Sequence, residues 1–145
     1  MRIKNLDPTT LYITNPVGEV KRIQALQKSF QSNVAWVEKS FGKAYRSEIQ
    51  EGEYVPEIYI GNDEYIEVLP DDEVSGMCFF DVQDEIQVSN NNNTFDANIN
   101  IVFFVNLKKA FPDLLYRADA EVRQDIINVI NQHQRGWEMN TIITG

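Results

Sequence analysis

Histidine and cysteine are all but missing from this chain: His133 and Cys78 are the only examples. A lone cysteine forms no internal disulfide and fits a reducing compartment. One Cys and one His together exclude a structural zinc site. Nucleophilic catalysis through a Ser–His or Cys–His pair would have to recruit His133. That residue falls near the end of a predicted helix, where the helix dipole favours a histidine without any catalytic duty. Cys78 lies in a predicted strand with no cation nearby in sequence, the setting of a small apolar filler and not of a reactive thiol. Gly61 and Gly76 stand alone, and no glycine-rich loop precedes a helix, so there is no phosphate-binding signature. Long apolar runs are also missing. The longest, residues 101–105, is far short of the roughly 20 residues that cross a bilayer. The opening MRIKNLDPTT carries no apolar core of the signal-peptide kind. These absences lead us to expect a soluble, intracellular protein.

Cations are absent from a long internal stretch. Residues 47–107 contain fourteen Asp/Glu and no Lys or Arg, residues 1–46 hold eight Lys/Arg against three Asp/Glu, and residues 108–145 balance at five each. A solvated acidic face that keeps the protein soluble is one reading. The other is head-to-tail association, the basic segment of one copy against the acidic segment of the next, closing into a ring or running into a filament. An acidic middle repels phosphates and argues against nucleic-acid binding there.

What the chain does contain is a long alternating stretch. In residues 94–107, Phe95, Ala97, Ile99, Ile101, Phe103, Val105 and Leu107 share one parity, with Asp96, Asn98, Asn100 and Asn106 on the other. Successive strand side chains point to opposite faces, so one face should be buried and most of the other wet. Phe80, Val82, Ile86 and Val88 continue an apolar parity in the preceding run, interrupted by Asp84. Asn90–Asn93 between the runs tolerate turn backbone. The pattern predicts a β-hairpin over about 77–107, reaching roughly 40 Å at about 3.3 Å per residue.

Around it, Asn15-Pro16 marks a helix start, with Asn as cap and Pro at the first helical position. Val20, Ile23, Leu26 and Phe30 then give a helical stripe over about 16–32. Residues 34–37 suit either a helical turn or a short strand. Residues 44–49 read as a strand before a Gln50–Glu53 loop. Two short strands, 57–60 and 65–69, flank a turn at 61–64. After the break at Phe111-Pro112-Asp113, Val122, Ile126, Val129 and Ile130 define a second helix that Asp119 or an earlier Asp opens and that runs to about His133. Gly136 ends it, and 137–143 could add an edge strand. With 145 residues and no linker, this is one α+β domain: a mainly antiparallel sheet whose long hairpin packs against an N-terminal and a C-terminal helix.

Carboxylates are the plentiful chemistry. Asp71, Asp72 and Glu73, or Asp81, Asp84 and Glu85, could hold a hard cation, but neither run has EF-hand spacing. A carboxylate pair for acid–base work depends on separation in space, which sequence does not give. No catalytic residue, cofactor or metal ligand is assigned. Tyr54, Tyr59 and Tyr65 enrich the acidic middle in a residue that suits interfaces and equally suits half-buried strands.

The order of elements resembles that of small tail-completion proteins of tailed phages and prophages, in particular the tail terminator type. The stretches that carry the likeness are the capped N-terminal helix, GNDEYIEVLPDDEVSGMCFF (61–80), NINIVFFVNLKKAFPD (98–113) and EVRQDIINVIN (121–131). The resemblance implies a non-enzymatic α+β structural protein that assembles into a ring, a hexamer among the options, at the end of the tail tube. It implies other tail or head–tail joining proteins as partners, no membrane or sequence-specific nucleic acid, and a place in the host cytoplasm and the virion. On that expectation the contact residues are Asp71, Asp72, Glu73, Asn91, Asn92 and Asn93, complemented by Lys21, Arg22 and Lys28. Two alternatives come from other classes: a small carboxylate- or metal-dependent enzyme, and a monomeric acidic adaptor or inhibitor that binds a basic partner.

Overall fold

A computed structural model describes residues 6–48, 54–89 and 94–133. A 3-10 turn, Pro8–Leu11, precedes α1 (Gly18–Asn33). Five strands follow: β1 (Lys39–Glu48), β2 (Tyr54–Gly61), β3 (Glu64–Glu67), β4 (Gly76–Ser89) and β5 (Thr94–Val105). A single turn, α2 (Leu107–Ala110), and α3 (Asp119–Gln132) complete the chain. The strands form one sheet in the order β3-β2-β1-β4-β5. Every pairing is antiparallel except β1 with β4. The α+β class, the mainly antiparallel sheet and the two flanking helices are as the sequence predicts.

The long hairpin is present. Its register runs from Gly76 opposite Val105, through Phe80 opposite Ile101, to Ser89 opposite Thr94. Between Gln83 and Gln87, β4 takes four residue steps against two on β5, a bulge at the place where Asp84 breaks the apolar alternation. The asparagine turn and the expected strand over 137–143, with Gly136, lie outside the described residues, as does the 50–53 loop.

One expectation about the hairpin fails. Alternation predicts one dry and one wet face, yet Met77, Cys78, Phe79 and Phe80 are buried in succession. Cys78 and Phe80 join Ile23, Leu26 and Phe30 of α1 and Val129 and Ile130 of α3 in one cluster. Met77 and Phe79 join Phe41, Ile58, Ile66 and Val68 in a second cluster on the opposite side of the sheet, where Leu6 and Leu11 also pack. A strand covered on both faces needs no polar parity. Among the described residues the alternation holds further along β5, where Asn98 and Asn100 are exposed between half-buried Ile99 and Ile101.

The start of α1 also differs. Its N-cap is Val17, which makes no side-chain capping bond, and Asn15 sits before it in the left-handed region at φ 56°. The entering chain is held instead from inside the helix. The Ile13 N–H donates to Gln24 Oε1 at 2.8 Å, and Gln24 Nε2 donates back to the Ile13 carbonyl at 2.9 Å. The side-chain amide thus satisfies both backbone groups of Ile13 and anchors the chain that enters the helix. Glu19 supplies the acidic first turn.

Residues 34–37 are neither helix nor strand. Val34 caps α1, residues 35–36 turn, and β1 begins at Lys39, five residues earlier than predicted. The early part of β1 is shaped by α1. Gln27 Nε2 donates to the Ser40 carbonyl (2.8 Å), the Ser40 N–H donates to Gln31 Oε1 (3.1 Å), and the Ser40 hydroxyl donates to the Gln27 carbonyl (2.9 Å). These bonds surround the register shift between Ser40 and Lys43. At the far end of the turn, a Cβ on Gly76 would come within 2.6 Å of the Trp36 ring and 2.8 Å of its carbonyl oxygen, so β4 can start there only with glycine.

Candidate interaction surfaces

The expected contact residues fall on two separate elements. Lys21, Arg22 and Lys28 are exposed on the solvent side of α1. Lys28 also places its ammonium 4.9 Å over the Tyr12 ring, a cation–π contact that uses part of its charge locally. Asp71, Asp72 and Glu73 lie in the loop between β3 and β4. Asp71 is half-buried and its carboxylate accepts the Glu73 N–H at 3.0 Å, so it shapes the turn, while Asp72 and Glu73 are exposed. Asn91, Asn92 and Asn93 lie outside the described residues.

Strand order creates a surface that linear sequence does not announce. On the side of the sheet that carries the helices, α1 lies over β1, and α3 packs beside it. On β2 and β3, Tyr59 pairs with Tyr65, and next to them Glu57 pairs with Glu67. Tyr45 of β1 stands opposite Glu57. Tyr65 makes edge-on ring contacts with Tyr59 at 5.2 Å and with Tyr45 at 6.0 Å between centroids. The three rings are 44% (Tyr45), 42% (Tyr59) and 43% (Tyr65) exposed. At the α1 edge of this surface, Lys43 bridges to Glu19 at 3.1 Å and lies 5.2 Å over the Tyr45 ring. Burial opposes ionisation of Glu19, but the backbone N–H of its own helical turn and Lys43 outweigh it, and the carboxyl is held below its ordinary value. The tyrosine content of the middle segment was visible in the sequence. Tyr45, which joins the cluster from a different hairpin partner, was not.

Other chemistry-bearing groups have structural partners. Ser29 and His133 form a short hydrogen bond between α1 and α3. Ser29 lies within α1 and His133 at the C-cap of α3, so this bond ties the two helices together. Cys78 is fully buried beside Ser40 (3.3 Å), and burial pushes its thiol up to about 12. A cleft between the end of α1 and the α2–α3 region contains Asp125, whose carboxylate accepts the Trp36 indole N–H at 2.8 Å. Glu38 accepts the Ser75 N–H and hydroxyl, and these bonds hold its carboxyl below the ordinary glutamate value. Among the described residues no three His, Cys, Asp or Glu side chains converge as a metal site, and no helix is long and apolar enough to cross a membrane. No family model, curated protein or solved structure matches the chain.

Proposed function

We propose that this chain is a structural protein of a phage or prophage particle, a tail-completion protein of the terminator type that assembles into a ring of its own copies. The order of a leading helix, short strands, a long hairpin and a closing helix supports the reading, because it is the order on which the resemblance rests. The observation that carries self-association is the separation of opposite charge within one small domain. The exposed cations of α1 lie on one element, and the carboxylates of the β2–β3 hairpin and the β3–β4 loop lie on others. Complementary charges carried on separate elements can meet between copies, and a heterologous contact of this kind closes into a ring when its rotation permits. Other tail or head–tail joining proteins would dock on the ring, and acidic residues lining its opening would repel passing DNA. The protein would then act through assembly and not through catalysis.

Negative-stain electron microscopy of the purified protein tests this directly. Closed rings of one diameter with a central opening are the expected result. Single particles at every concentration, or open filaments, would overturn the ring reading. A stable one-to-one complex with a basic protein in place of rings would favour the adaptor alternative, for which the acidic, tyrosine-bearing sheet face is also suited.

A further inference from the structure

We infer that the Tyr–Glu face of β2–β3 is the receiving half of a subunit contact, and that its occupant is the cationic side of α1 from a second copy. The inference rests on the self-association reading and names the two surfaces that meet. Three observations carry it.

The helix layer is incomplete. Helix α1 packs over β1, and α3 joins α1 over the core that includes β4 and β5, while Tyr59 and Tyr65 on β2–β3 remain more than two-fifths exposed. A helix from a neighbour laid beside α1 would continue the same layer over the open strands.

The open face has the chemistry of a cation site. Glu57 and Glu67 stand directly opposite each other on adjacent strands, an arrangement that is unfavourable for like charges. Among the described residues neither has an ion-pair partner. Beside them lies the Tyr59–Tyr65 pair, whose rings offer the negative faces that attract ammonium and guanidinium groups. The chain already uses this combination once at the rim, where the Lys43 ammonium sits between the Glu19 carboxylate and the Tyr45 ring.

The same chain carries the occupant. Lys21 and Arg22 are exposed on α1, and Lys28 lies two turns further on, about 10 Å along the axis from Lys21 at about 1.5 Å per residue. Residues 1–46 supply the excess of cations and residues 47–107 supply none. A second copy is therefore the partner whose charge the face complements.

Sedimentation velocity on four proteins tests the pairing: wild type, Glu57→Lys with Glu67→Lys, Lys21→Glu with Arg22→Glu, and the variant carrying all four changes. Thermal melts check that each is folded as the wild type is. The expected pattern is assembly by wild type, at least about tenfold weaker assembly by each two-site variant, since facing like charges oppose contact, and recovery when both surfaces are reversed. If wild type stays monomeric, the self-association reading itself fails. If wild type assembles and Glu57→Lys/Glu67→Lys assembles equally well, self-association stands but this face is not the contact. If each two-site variant loses assembly and the four-site variant does not regain it, the surfaces do not meet each other and the pairing is overturned.

Discussion

In the β4–β5 hairpin, Met77, Cys78, Phe79 and Phe80 are buried one after another, whereas in the β2–β3 hairpin burial alternates, with Ile58 and Ile66 inside and Tyr59 and Tyr65 open to solvent. Both are antiparallel hairpins in one sheet. Their difference comes from what lies above them: helices cover the first on one side and a second apolar cluster fills the other, while the second has cover on a single side. The base of the first hairpin thus takes part in both apolar clusters, whereas the second leaves Tyr59 and Tyr65 open on one side.

The sharpest way to break this contrast is to truncate one aromatic from each hairpin. Phe80 is fully buried with its ring tilted against that of Phe30 at 6.4 Å between centroids, so Phe80→Ala should cost about 4 kcal/mol in a urea unfolding experiment. A cost below about 1 kcal/mol would mean that the helix–hairpin core is not the centre of stability. Gly76→Ala should cost about 2 kcal/mol or more, because the new methyl meets the Trp36 ring and carbonyl at the start of β4. An unchanged melting temperature would show that the turn can move aside. Ser40→Ala removes the hydroxyl that donates to Gln27 and should cost about 1–2 kcal/mol by the same measurement. Tyr65→Ala, on the open face, should change stability by no more than about 1 kcal/mol while weakening self-association. Destabilisation as large as that of Phe80→Ala would place Tyr65 in the core and not on a surface.

The smallest effect concerns acid. Glu38 is exposed, and its bonds to Ser75 lower its folded pKa. A lowered carboxylate contributes stability above its unfolded pKa and loses it as pH falls through the folded one. Glu38→Gln should therefore cost a few tenths of a kcal/mol near neutral pH, given solvent screening. The difference from wild type should vanish in acid, below the ordinary glutamate range. A gap that widens with acid in paired melting curves would reverse the sign of this assignment.

The two regions also differ in how far the sequence disclosed them. Helix α1, helix α3 and the β4–β5 hairpin announce themselves because their apolar residues repeat at helical or strand spacing. The buried face of α1 is only partly apolar, however. Gln24 and Gln27 are buried with Ile23 and Phe30, and they hold Ile13 and Ser40 by hydrogen bonds that periodicity does not register. Those bonds explain both missed boundaries: α1 enters without the Asn15 cap, and β1 starts at Lys39 in a segment lacking alternation. The Tyr–Glu face required strand order. Tyr45 and Tyr65 are twenty residues apart and meet because β2 lies between β1 and β3. The antiparallel pairings of β1 with β2 and of β2 with β3 set that order, and the parallel pairing of β1 with β4, which joins the long hairpin to the other edge of β1, leaves no local signature. Of the contact residues expected from charge, Lys21 and Arg22 remain good candidates on α1. Asp71 is committed to its own turn, and the carboxylates with the most suitable surroundings are Glu57 and Glu67.

If complementary charge drives self-association, static light scattering will register it as a salt-dependent native mass. The protein should be measured across a wide concentration range at low and high salt. The account predicts a mass that rises to a fixed multiple of the 16.8 kDa chain at low salt and falls back as salt screens the contact. A mass of one chain at every concentration and salt would contradict it.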